Sequence, residues 1–506
     1  MTETVDHELY GTGVVEGRRY QGFEVLVQFS CGIRRWIPHS ELRRSSHSPL
    51  LPGRDGAGPA PPDMSGGDAV PPDTATPITS GAIGVQGAGL VLRPGPPQDV
   101  GTPGHTGGRR PSLEGDAQQR SRSTIEALRQ GGVPRGMVEQ FTAGRDGELE
   151  VIQEWLESRD GCLRIDGDYG VGKSHLLEVA ALHALHTGWA VARVEIDPNE
   201  TPFHKPKHLY QSIIRSLEYC SGDRLHSFRD LMTHVAGSPD SDDTGVLEAH
   251  PYFGMFIRYW RAGSDNEDLR DWIGGDSTTY RSYFPRLLGY QLAANIYCNL
   301  LSGLGWITKN ILGLRGLFVL VDEAESIDKS FYSNYQHRMG LNTLKGLIFT
   351  ANGKQSLIRE GAEEGAIICQ DGIGCIGRYS GLRYPKDRRH QFPYIWREDA
   401  SIKIAFAFVP EFFESLRYDT DACLAVRDMP SLKIESLSRI DHARLLRRIT
   451  DIYREAYDFE PQRSVFELLP KEKTRIFAKA AVEVLDLMRF HPGQDLQDLI
   501  IHDYED

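Results

Sequence analysis

No excess of positive charge marks this chain: 57 Lys and Arg stand against 70 Asp and Glu, a formal charge of −13. The wholesale basic surface that coats nucleic acid is therefore excluded, although local basic patches are not. Cysteine is sparse, and its seven copies (Cys31, Cys162, Cys220, Cys298, Cys369, Cys375 and Cys423) are widely spaced with no C-x-x-C pair. That excludes a disulfide framework or zinc knuckle and leads us to expect a reducing, cytoplasmic setting. The opening residues, MTETVDHELYGTG, have neither a basic nor an apolar leader segment, so no signal peptide is expected. Long hydrophobic runs are also missing. The most apolar stretch, 287–321, is interrupted by Gln291, Asn295, Asn299, Lys309 and Arg315 and falls short of a membrane span.

What is present suffices for several folding units. The chain has 506 residues, 40% of them apolar, which at roughly 100–200 residues per domain gives two to four units. The acidity is local: residues 237–276 carry nine acids against Arg258, Arg261 and Arg270, and residues 495–506 carry five acids with no Lys or Arg. These two segments hold −11 of the −13, leaving the rest nearly neutral. Residues 51–110 include 11 prolines and 14 glycines, too little burial to offset ordering entropy, so a disordered linker is expected over 46–120.

Before that linker, residues 1–45 alternate apolar and polar positions (Val25, Val27, Phe29) between turn glycines and predict short strands. H-x-x-Y-G-x-G-V-V, the V-x-F strand, G-I-R-R-W and E-L resemble Tudor/SH3-like barrel modules, which dock to nucleic acid or polymerase; Arg34, Arg35 and Trp36 would carry that contact. A solubilising or intramolecular docking role is the alternative.

The strongest motif is Gly167-Asp168-Tyr169-Gly170-Val171-Gly172-Lys173-Ser174, followed by His175. It is a G-x-x-x-x-G-K-[ST] loop between a short apolar strand and a helix, the context in which glycines let backbone N–H groups face phosphate. Lys173 would bridge the β- and γ-phosphates of ATP, and the Ser174 hydroxyl would ligate Mg²⁺. A second element, G-L-F-V-L-V-D-E-A-E, runs apolar from Leu317 to Asp322-Glu323, as a strand buried on both faces would. Asp322 would hold the metal through water and Glu323 would polarise the attacking water. Glu325 reads equally as a capping or a catalytic carboxylate. A third strand is predicted at 344–354, L-K-G-L-I-F-T-A-N-G-K, ending in Thr350 and Asn352, either of which would sense the γ-phosphate or position the water, while Asn352-Gly353 reads equally as a turn.

About 150 positions separate Lys173 from Asp322, so a helical insertion is expected over about 200–312, a scaffold or partner-binding element. The predicted organisation is thus a small all-β barrel (1–45), a linker (46–120), an α/β P-loop NTPase core with a parallel sheet and that insertion (121–410), and a C-terminal helical lid (411–506). Within the lid, Arg475 opens a helix and is expected to face the nucleotide. Residues 378–397 interleave six cations with five aromatics, a net of +5, a pattern suited to nucleic-acid contact or to pairing with the acidic insertion.

Four passages together resemble one AAA+-related family, the ATP-binding proteins of BREX-type phage-defence systems: I-E-A-L-R-x-G-G-V-P (125–134), G-D-Y-G-V-G-K-S-H-L-L-E, D-E-A-E-S-I and T-R-I-F-A-K-A-A-V-E-V-L-D. The resemblance covers 121–492. It implies an ASCE-type sheet, ATP and Mg²⁺ as cofactors, ATP hydrolysis, and work on DNA beside a helicase or methyltransferase. Val171 and the extra glycine of G-G-V-P depart from the pattern without removing a phosphate ligand. A-G-R-D-G-E-L (143–149) is also reminiscent of initiator and STAND-type ATPases, which keeps open a nucleotide-gated switch or loader with little turnover. A homo-oligomer is left open, with Arg338, Arg378, Arg388 and Arg389 as trans-acting candidates.

Overall fold

The computed structural model describes residues 4–7, 11–19, 24–29, 34–38, 42–44 and 113–494, the last apart from 223, 239–241, 265, 362–366, 371–373, 416–419 and 462–464. Two units are present, 1–104 and 105–506. In the first, strands β1 (Thr4–His7), β2 (Gly11–Arg19), β3 (Glu24–Phe29), β4 (Arg34–Pro38) and β5 (Leu42–Arg44) form an antiparallel sheet of order β4-β3-β2-β1-β5. Arg34, Arg35 and Trp36 lie on β4. Of the expected linker, 46–112 lies outside the described residues, and its last positions belong to helix α1 (Leu113–Arg129).

In the second unit a 3-10 stretch, Arg135–Phe141, follows α1 and leads to α2 (Asp146–Glu157), β6 (Cys162–Asp166), α3 (Lys173–His186) and β7 (Ala190–Glu195). Then come α4 (Pro206–Ser216), the hairpin β8 (Glu218–Ser221) and β9 (Arg224–Ser227), α5 (Phe228–Gly237), α6 (Asp242–Leu247), α7 (Phe253–Arg261), α8 (Glu267–Ile273) and α9 (Ala294–Asn310). Next are β10 (Leu317–Asp322), α10 (Asn334–Ala351), β11 (Ile367–Gln370), β12 (Gly374–Gly377), β13 (Arg383–Tyr384) and β14 (Ile402–Phe408). The body ends with α11 (Phe412–Ser415), α12 (Thr420–Arg427), β15 (Ser431–Lys433), α13 (Arg439–Tyr457) and α14 (Thr474–Phe490).

The central sheet has the order β15-β6-β14-β10-β7-β8-β9. The first five strands are parallel, and the β8–β9 hairpin extends the edge antiparallel. Both faces are buried, as the uninterrupted apolar run of β10 requires. Leu163, Ile165, Val191, Phe318 and Leu320 pack with α2 and α3 on one side. Cys162, Ala190, Ala192, Val319 and Val321 pack with α4, α9 and α10 on the other. Successive residues thus alternate faces at the period of two that a strand imposes. The result is a mostly parallel α/β sheet with helices on both faces. Among the described residues no helix is long and apolar enough to cross a membrane.

Three expectations are corrected. Residues 344–351 are not a strand: they form the second half of α10, and the strand beside β10 is β14, I-K-I-A-F-A-F. All seven β14 residues are buried, including Lys403, whose Nζ donates to the carbonyls of Trp155, Ser158 and Asp160 and so caps the end of α2. Secondly, the boundary at 411 cuts the core, because Phe412, Ala422, Val426 and Met429 pack in it and β15 pairs with β6. The lid proper is α13 and α14, joined by α1 and the 3-10 stretch around Ile125, Phe141, Leu445, Ile449 and Phe477. Thirdly, the 200–312 segment is not wholly an insertion, since α4 and α9 cover one sheet face and β8–β9 lengthen its edge.

Candidate nucleotide site

The loop takes its shape from two glycines. Gly170 (φ 84°) and Gly172 (φ 107°) occupy the left-handed region that side chains disfavour, and they turn the chain from β6 into α3. Gly167 is required for another reason: a Cβ there would lie 2.9 Å from the Val171 side chain. Val171 is buried in the core under the loop, so its bulk anchors the turn from below and displaces no phosphate ligand. Asp168 and Tyr169 are exposed at the loop's outer edge.

Lys173 opens α3 and is buried, its Nζ donating to the Gly167 carbonyl (2.7 Å) and the Asp168 carbonyl (3.3 Å). Its ammonium is therefore at the mouth of the backbone cradle. Ser174, one residue on, is exposed at the helix N-terminus, where N–H groups and the helix dipole favour anions. His175 turns away from that role. Its Nε2 bonds Thr142 Oγ1 (2.8 Å), its ring packs on Phe141, and burial, helped by the Arg145 charge, holds its pKa down to about 4.

Asp322 ends β10 and accepts the Glu323 N–H at 2.9 Å, with Glu323 itself at φ 53°. Burial and the adjacent Asp322 raise the Glu323 pKa, so its carboxylate is more basic than an exposed one. Glu325, in the turn Ala324–Ile327, is pushed up to about 7, mainly by burial, and its Oε2 has no hydrogen-bond partner.

One cleft brings most of these groups together. Tyr169 to His175, Glu323 and Arg475 line it, with an apolar half made by Leu128, Val133, Phe141, Leu437 and Leu445. Arg475 enters from the lid: its backbone N–H donates to the Gly170 carbonyl (3.0 Å), and its Nη1 donates to the Tyr169 hydroxyl (2.5 Å). Asn352 is not brought there. It caps the end of α10, and its Oδ1 accepts the Gly161 N–H (2.8 Å) before the first residue of β6, at the end of that strand opposite the loop. The strand between β6 and β10 instead ends in Phe408-Val409-Pro410, with no polar side chain in the place where one was expected.

Arg145 is a site residue that motif matching alone does not rank. Buried, it donates from Nη2 to the carbonyls of Val171 (2.7 Å) and Glu435 (2.9 Å), and from Nη1 to Glu148 (2.6 Å). The signal was the A-G-R-D-G-E-L turn that carries it. In the 378–397 stretch, Tyr384 and Tyr394 are core residues and Phe392 and Trp396 pack against the core, leaving Tyr379 as the exposed aromatic. Arg378, Lys386, Arg388, Arg389 and Arg397 are exposed, so what faces solvent is cationic but not a stacking platform.

The family model described as BREX system ATP-binding protein BrxC/D matches residues 117–234, from α1 through the phosphate loop to α5. No curated protein matches the chain. Among solved structures, one described as the crystal structure of DNA replication initiation factor is similar at 11% identity and a TM-score of 0.33, covering 72% of this chain and 67% of that one.

Proposed function

We propose that this chain is an ATP-binding and ATP-hydrolysing P-loop protein that acts with DNA-processing partners in BREX-type phage defence. The observation carrying the nucleotide assignment is the single cleft that joins the phosphate loop, Glu323 and the lid's Arg475. Loop N–H groups and the Lys173 ammonium bind and neutralise the phosphates, and the apolar half excludes water from the base. Ser174 and Asp322 offer the hard oxygen donors that suit Mg²⁺ completed by phosphate and water, and that ion would supply charge neutralisation. Glu323 orients the attacking water and draws on its proton, its raised pKa favouring that step, while Arg475 adds positive charge from the lid. The family match at 117–234 supports defence-system partners such as a helicase or methyltransferase.

A second reading, a nucleotide-gated switch with little turnover, is favoured by one feature: β14 ends in Phe408-Val409-Pro410, without a polar group to sense the γ-phosphate. Fluorescent-ATP titration and phosphate release, with and without DNA, separate the two. Lys173→Ala should abolish binding under either, and retained affinity would refute the site. Glu323→Gln should keep ATP bound and stop hydrolysis. Turnover that is unresponsive to DNA and to Glu323→Gln would leave only the switch.

A further inference from the structure

The guanidinium of Arg145 ties two parts of the molecule that nucleotide binding must relate. It is 5% exposed, and its Nη2 bridges the carbonyl of Val171 in the phosphate loop and the carbonyl of Glu435, which lies between β15 and α13 where the chain enters the lid. Its Nη1 is fixed by Glu148 in the first turn of α2, so the fork is held from a rigid element. The turn that carries it is also seated on the lid. Gly144 (φ 64°) lies so close to α13 that a Cβ would fall 2.4 Å from the Asp441 Cγ. Asp441 in turn belongs to the first turn of α13, where its N–H donates to the cap residue Ser438.

We propose that Arg145 is a positioning residue that couples the shape of the phosphate loop to the placement of the lid. This rests on the reading of the cleft as an ATP site. Both Arg145 Nη groups are engaged by protein oxygens, so the residue acts through Val171 and Glu435 rather than on the phosphates. When loop N–H groups close on phosphate oxygens, the Val171 carbonyl turns with its peptide. The guanidinium passes that change to Glu435 and α13, bringing Arg475 into register. A lysine cannot replace it, because a single ammonium lacks the planar fork that spans two carbonyls and a carboxylate.

The test uses the full chain, fluorescent-ATP titration, and hydrogen exchange of the loop (168–174) and lid (439–457 and 474–490) with and without ATP and Mg²⁺. In the unaltered protein, ATP should slow exchange in both regions. Arg145→Lys keeps Lys173 and Ser174, so ATP should still saturate it, with affinity weaker by about tenfold for one lost charge-assisted bond. The ATP-dependent slowing of the lid should vanish while that of the loop remains. A merely structural arginine would lower the melting temperature without removing that difference. Slowing of the lid in Arg145→Lys overturns the coupling. If that variant does not fold, the unaltered protein decides: loop protection without lid protection overturns it as well. Failure of the unaltered protein to bind ATP refutes the nucleotide site itself and is distinguished by the titration.

Discussion

Gly305 lies in α9 where the helix runs against the chain entering β14, and a Cβ there would sit 2.1 Å from the Ala400 carbonyl oxygen. Alanine ordinarily improves a helix interior by about 1 kcal/mol, but here the contact is backbone, which cannot swing aside. Gly305→Ala should therefore destabilise the fold by about 2 kcal/mol, the cost of overpacking exceeding the propensity gain, as urea denaturation would measure. Histidine burial gives a second residue-scale outcome. His250 is buried, its Nδ1 accepts the N–H groups of Tyr252 and Phe253, and desolvation holds its pKa down to about 3. His175 and His204 are held down to about 4, also chiefly by burial. A folded pKa below the unfolded value of about 6.5 means that the unfolded chain takes up more protons as the solution is acidified. The stability contribution is complete above pH 6.5 and is lost as pH falls from there toward 3. Urea midpoints should be lower at pH 5 than at pH 7, and His250→Asn, which retains an acceptor that does not titrate, should flatten that dependence.

At the scale of elements, α10 and β14 show what the chain discloses and what it hides. Asn352 ends α10 and holds the Gly161 N–H. Asn352→Ala should cost about 1 kcal/mol in thermal or urea unfolding, the worth of that bond, and leave ATP affinity and hydrolysis unchanged. A drop in turnover at unaltered stability would restore it as a sensor. The turn from β6 into α3 was legible because its glycines, Lys173 and Ser174 stand at a fixed spacing, with Gly170 and Gly172 at the positive φ the turn needs. The β10 strand was legible because five apolar residues, Leu317 to Val321, ran straight into two acids. Residues 344–351 misled because α10 is buried from Met339 through Ile348, which leaves no polar face to display a helical period. The actual neighbouring strand was obscured by Lys403, a charge whose burial makes sense only beside the three carbonyls it caps. Strand β15, three residues long, gives too little alternation to detect. Aromatics between 378 and 397 suggested a stacking surface because composition cannot separate Tyr384 and Tyr394 in the core from Tyr379 outside it.

Across the whole molecule, the lid is assembled from chain segments more than 300 positions apart, and this fixes where the protein can be shortened. Helix α1 packs on α13 and α14: Arg129 pairs with Asp486 at 2.9 Å, Asp486 also accepts the Tyr453 hydroxyl (2.7 Å), and Arg122 Nε donates to the Ala456 carbonyl (2.9 Å). Ile125 and Leu128 are buried in the same cluster as Leu445, Ile449 and Phe477. Each buried side chain of this kind contributes about 1.5–3 kcal/mol, and Leu128 also lines the nucleotide cleft. Removing residues 1–104, one whole unit, should leave the melting temperature and ATP affinity of the remaining chain unchanged. Removing residues 1–130 takes α1 as well. It strips the apolar cover from α13 and α14, so the melting temperature should fall by several degrees for each kcal/mol lost. ATP affinity should fall with it, because the wall formed by Leu128 is gone. Differential scanning calorimetry and ATP titration of the two truncated chains check this. Equal losses in both would trace the loss to residues 1–104 rather than to α1. No loss in either would mean that α13 and α14 hold the cleft without α1.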